Sequence, residues 1–182
     1  MPWNASSLPY RLLYLAKAFL EDSTPLSLVL TMNTDSGPKF EGKFEFLEHT
    51  ADVFIRAHGK TMEEAYENAA LAMFETMTDS DKIAQTQEQT LEVEAEDQYA
   101  LLYNWLEALL VKFETENVLY SKFQIINWQE TADIFKFKAK VWGEKFDPQK
   151  HPQKVAVKAV TYHRMVIIRE KDRVILEFIL DI

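Results

Sequence analysis

Val53-Phe54-Ile55-Arg56-Ala57-His58-Gly59-Lys60-Thr61-Met62-Glu63-Glu64 passes from strand to helix within one short stretch, and its reading decides the fold. Residues 53–58, opening on Val53-Phe54-Ile55, read as a strand, and Gly59 ends the run. Thr61 and Glu64 then stand at capping-box spacing, where hydroxyl and carboxylate each satisfy a free backbone N–H at a helix start. Behind them Met62, Ala65, Ala69, Met73 and Met77 recur at helical spacing. Ahead of them Phe40–Phe46 reads as another strand, so Glu48-His49-Thr50-Ala51-Asp52 is a polar segment between two strands.

Working outward, Leu91, Val93 and Ala95 alternate with Glu92, Glu94 and Glu96, a strand with one wet face. Asp97 is placed to cap a second helix carrying Leu102, Leu106, Leu109 and Phe113 on its apolar side. Residues 120–129, 133–142, 155–162, 164–169 and 173–181 read as further strands, with Glu170-Lys171-Asp172 as the turn between the last two. Two helices against one largely antiparallel sheet is an α+β fold, expected here as a single domain over residues 39–182.

Residues 1–38 are set apart. The apolar run Tyr10–Leu20 is broken by Lys17 and falls short of the roughly 20 residues of a membrane span. It lacks the basic start of a secretory signal, and Glu21 and Asp22 do not suit a mitochondrial presequence. The expectation is a poorly ordered N-terminal extension on an intracellular protein, cytoplasmic or nuclear.

Composition excludes whole classes of chemistry. The 182 residues contain no cysteine, which removes disulfides, thiolate zinc sites and cysteine nucleophiles. Against 20 Lys+Arg stand 29 Asp+Glu, a net charge of −9 with no basic stripe. Direct nucleic-acid binding is not expected from that balance; a cation or a basic protein partner suits it better. His49, His58, His151 and His163 include no pair at the close spacing of a helical metal motif. Phosphate-binding glycine loops and G-x-S-x-G elbows are absent from a chain with four glycines. Asp79-Ser80-Asp81 opens like a calcium loop, but Ala84 and Thr90 occupy the positions that need Gly and Glu.

The last strand holds a second polar position of interest. Alternation over Val174–Ile182 puts Ile175, Glu177, Ile179 and Asp181 on one face. Asp181 also adjoins Ile182 and its α-carboxylate, and anionic groups so close need a cation or a basic neighbour.

Phe46–Asp52, Gly59 with the Thr61–Glu64 helix start, Trp142-Gly143-Glu144 with Lys150-His151-Pro152, Val157–Tyr162 and the Asp181-Ile182 ending occur in one order. Together they resemble the archease family over about residues 40–182. The chain departs from that pattern in its long leader and in Lys154-Val155-Ala156, where the pattern has a glycine and an acidic residue. The resemblance implies a non-catalytic activator of the RtcB-type RNA ligase of tRNA splicing, one that promotes ligase guanylylation and multiple turnover. It implies a metal site of Asp52, Asp181 and the terminal carboxylate of Ile182, with His49, His151 and Lys158 as polar positions around it. Oxygen donors without thiolates select a hard divalent cation, calcium first, with magnesium or manganese as alternatives. Two other readings stand beside this one. A metal-dependent hydrolase would use Asp52 and His49, and a chaperone-like adaptor would bind basic partners through exposed acids.

Overall fold

In the computed structural model, residues 42–49 and 51–182 are the ones described; the N-terminal extension, Lys39, Phe40, Glu41 and Thr50 lie outside them. The elements run β1 (Phe44–Leu47), β2 (Val53–Gly59), α1 (Met62–Met77), a 3₁₀ turn (Ser80–Lys82), β3 (Gln87–Ala95), α2 (Gln98–Glu116), β4 (Val118–Glu130), β5 (Phe135–Lys145), β6 (Ala159–Arg169) and β7 (Val174–Asp181). The fold is α+β, as expected.

The strands divide into two sheets rather than the one expected. One has the order β1-β2-β7-β6 and the other β3-β5-β4, and every pairing is antiparallel. Both helices touch both sheets: α1 packs on β2, β7 and β4, and α2 on β6, β3, β4 and β5. The helices therefore form a layer between the sheets. This explains why twelve of the sixteen residues of α1 are buried, and not only the single expected stripe. A helix covered on several sides is apolar nearly all round. Ala65, Ala69, Ala70 and Ala72 keep it slim, so that both sheets approach closely.

Local signals set the boundaries. Thr61 Oγ1 accepts the Glu64 N–H at 3.2 Å, and Glu64 Oε2 accepts the Lys60 N–H at 2.7 Å, completing the capping arrangement. Asp97 Oδ1 accepts the N–H groups of Tyr99 and Ala100, both at 2.8 Å. Asn117 ends α2 in the left-handed region at φ 56°. In the core, Trp105 Nε1 donates to the Tyr66 carbonyl at 3.0 Å, and the Tyr66 hydroxyl donates to the Gln98 carbonyl at 2.8 Å. Burial pushes the Tyr66 phenol far above its ordinary pKa, so it stays a neutral donor.

Two strand expectations shift. Residues 155–158 carry no strand, and β6 begins at Ala159. The two runs expected to meet at His163 form one strand with a break in register between Thr161 and Val166. On the second sheet, alternation collects Lys136, Lys138 and Lys140 on the face of β5 that lies beside the β3 acids. Lys140 meets Glu88 at 2.8 Å and Lys138 pairs with Glu92, so this ladder is compensated.

Candidate functional site

β2 and β7 are neighbours, and their register pairs Val53 with Leu180. Continued by one residue, that register sets Asp52 opposite Asp181 at the end of the sheet. Asp52 is the residue before β2, and Asp181 is the last residue of β7. Period-2 alternation puts both on the face of Phe54, Arg56, Glu177 and Ile179. The two carboxylates singled out in the sequence are thus brought together by strand pairing.

His49 stands against this pair. Its Nδ1 accepts the Asp52 N–H at 3.3 Å and lies 3.6 Å from Asp52 Oδ2. Its ring meets the Phe54 ring edge-on, with centroids 6.3 Å apart. Asp52 keeps 31% of its side chain exposed and His49 17%, so the carboxylate is the more open of the two. Lys158 reaches the site through its backbone, with its N–H donating to the Asp181 carbonyl at 2.8 Å. Its side chain is exposed. Ile182, half-buried, follows Asp181 directly.

His151 is placed differently. It is fully buried, and both ring nitrogens are engaged: Nδ1 accepts the Asp147 N–H at 2.9 Å, and Nε2 lies 3.0 Å from Glu144 Oε1. With Nδ1 accepting, the proton of a neutral ring sits on Nε2 and is donated to Glu144. His151 braces the segment between β5 and β6 from within. That segment is tied to the end of α1 by Thr78 Oγ1 to the Pro152 carbonyl at 2.8 Å and by the Lys154 N–H to the Met77 carbonyl at 3.0 Å. Lys154 Nζ adds Glu75 Oε1 at 2.6 Å. The segment then delivers Lys158 to Asp181.

Glu144 went unassigned in the sequence, although Trp142-Gly143-Glu144 was a signal for it. Its Oε1 accepts the Ala84 N–H at 2.6 Å, pairs with Lys150 and meets His151. Burial would raise this carboxyl, but the bonds from Lys150, Ala84 and His151 outweigh it and hold the pKa down to about 2. Phe54 reads in the sequence only as a strand residue, and no local pattern marks Arg164.

The donor set suits a hard cation. The register, continued by one residue, sets two aspartate positions opposite each other on one face, and the Asp181 carboxylate has no ion-pair partner among the described residues. Among those residues there is no group of three or more His, Asp or Glu side chains placed to hold a metal. Calcium takes about 6–8 oxygens, so two carboxylates leave most positions to water, main-chain or terminal oxygens, or a partner. Among the described residues no helix is long and apolar enough to cross a membrane.

Fold and site together define a class: an α+β domain, its helices between two antiparallel sheets, with an acidic pair and a histidine at one sheet end. The model of the archease protein family (MTH1598/TM1083) matches residues 44–182, and the chain belongs to that family. Protein archease of Sulfurisphaera tokodaii is 45% identical over 140 residues, covering 77% of this chain and 99% of its own length. Protein archease of Pyrococcus abyssi is 42% identical over 130 residues, covering 71% and 91%. The solution structure of protein 1598 of Methanobacterium thermoautotrophicum superposes with a TM-score of 0.69 at 40% identity, covering 78% of this chain and 99% of that one.

Proposed function

We propose that this archease activates an RtcB-type RNA ligase in tRNA splicing without being a catalyst itself. Its working end is the acidic tip of the four-stranded sheet. The observation that carries the reading is the β2–β7 register, which sets Asp52 against Asp181 in a chain of this family. Asp52, Asp181 and the α-carboxylate of Ile182 hold a hard divalent cation, calcium before magnesium or manganese. When bound, such a cation neutralises the clustered carboxylates and polarises phosphate oxygens.

The chain's own residues do the rest. His49 fixes the Asp52 backbone and orients its carboxylate. Lys158 fixes the Asp181 carbonyl and leaves its ammonium at the rim. His151, locked on Glu144, keeps the segment that carries Lys158 in place. The partner is the ligase and its splicing complex, in the cytoplasm or nucleus, and guanylylation of the ligase is the step promoted.

A reconstituted ligation assay tests this. Wild-type protein is expected to raise ligase turnover, and the Asp52→Ala/Asp181→Ala double variant to leave it at the unstimulated level. Equal stimulation by that variant would sink the assignment. Phosphoester turnover by the purified protein alone would favour the hydrolase reading. Capture of many unrelated basic proteins, without the ligase, would favour the adaptor.

A further inference from the structure

β6 leaves regular pairing where it passes the tip. Thr161 faces Ile179 and Val166 faces Glu177, so residues 162–165 stand opposite the single residue Phe178. Within this bulge Arg164 adopts φ 55°, the left-handed region that side chains other than glycine's seldom occupy. Bulges re-aim side chains. Here the guanidinium carbon of Arg164 lies 4.9 Å from the centroid of the Phe54 ring. Phe54 belongs to β2, and β7 runs between β2 and β6. Arg164 therefore reaches across a whole strand, over the row Thr161–Ile179–Phe54. Ile179 is 1% exposed and Phe54 6%, yet both fall outside the main core cluster. The arginine lies over Phe54 on one side, and the His49 ring meets it on another.

The guanidinium itself is the exception among the described arginines. Among the described residues Arg56 pairs with Glu45 and Glu177, Arg169 with Glu130, and Arg173 with Glu170. Arg164 has no carboxylate partner among the described residues, in a protein of net charge −9. A guanidinium stacked on a ring face uses its own face, leaving its in-plane N–H groups available. Phe54 is two residues from Asp52, about 7 Å of strand, and Ile179 is two from Asp181. A planar cation with free donors is thus held one pleat repeat from the acidic pair.

We infer that Arg164 is a contact residue for a phosphate-class oxyanion held beside Asp52 and Asp181. The inference rests on the reading of that pair as a cation site. Bare, the pair repels an anion; with its cation it attracts one. The guanidinium fork matches phosphate oxygens two at a time. The cation and Arg164 then grip one phosphate group from two sides.

The experiment follows backbone amides of the full chain by NMR, first with magnesium, then with inorganic phosphate at saturating magnesium. The proteins are wild type, Arg164→Lys and Arg164→Met; methionine preserves an unbranched cover over Phe54 and Ile179. Magnesium is expected to shift the Asp181 amide in all three. Phosphate is expected to bind the wild type only when magnesium is present, about tenfold more weakly to Arg164→Met and to an intermediate degree to Arg164→Lys. Thermal midpoints should stay within a few degrees. Equal phosphate affinity in wild type and Arg164→Met, with the magnesium response intact, overturns this inference alone and leaves Arg164 as a cover. No response of the Asp181 amide to magnesium or, titrated without phosphate, to calcium overturns the cation site and this inference together. Dimethyl phosphate, titrated in parallel, separates the sources. Binding weaker than inorganic phosphate assigns a monoester or free phosphate, and equal binding assigns a nucleic-acid diester.

Discussion

Glu144 concentrates three donors on one oxygen, and its charge is what they stabilise. Its pKa is held at about 2, well below the ordinary value of about 4.3 for an unfolded chain. A lowered carboxyl pKa stabilises the fold above the unfolded value, and that contribution is lost as pH falls through the folded one. Glu144→Gln is therefore expected to cost about 2 kcal/mol at neutral pH, the range for charge-assisted hydrogen bonds. Urea unfolding at a series of pH values checks this: the gap between wild type and variant should be constant above about pH 5 and shrink between 4.5 and 2. His151→Ala removes a fully buried ring, strands the Asp147 N–H and takes one of its three donors from Glu144. About 3 kcal/mol is expected from cavity and unmade bonds, read as a lower urea midpoint at pH 7. Lys150-His151-Pro152 was visible in the sequence, but the role of His151 was not. Its partner Glu144 lies on β5, and nothing local reveals that the ring is turned inward.

At the level of elements, backbone geometry makes the sharpest demands. A Cβ on Gly143 would stand 1.8 Å from the Leu119 carbonyl oxygen, backbone that cannot step aside while β4 and β5 stay paired. Gly143→Ala should cost more than about 3 kcal/mol or abolish folding, seen as loss of the cooperative thermal transition. Asn117 needs the left-handed conformation, so Asn117→Ala should cost about 1 kcal/mol while Asn117→Gly is neutral or better. Thermal unfolding of the pair separates conformation from side-chain contact. Elements of this kind were legible where their causes are local: Thr61 and Asp97 cap the helices, and Leu91 and Val93 alternate with glutamates. The division into two sheets was not, because it depends on which distant strands pair. His163 marked the break in β6 only as a discontinuity; that the bulge throws Arg164 across β7 is a tertiary fact.

For the molecule as a whole, one sheet end gathers what the chain scatters. His49 and Asp52 precede β2, Asp181 ends β7, and Lys158 arrives on the segment tied down at α1. Asp52 and Asp181 were nameable from the sequence, through alternation and family pattern; their pairing required the register. The tether itself is open to measurement. Lys154→Ala removes a partly exposed pair worth about 0.5–1 kcal/mol, so amide exchange across residues 147–158 should rise a few-fold while the sheets stay protected. The central claim is that the tip is a cation site built by Asp52 and Asp181. Calorimetric titration of calcium into the wild type, Asp52→Ala and Asp181→Ala tests it most directly. One calcium per wild-type chain, bound at least tenfold more weakly by each variant, is the expected result. Binding undiminished in both variants, or none to the wild type, would contradict it.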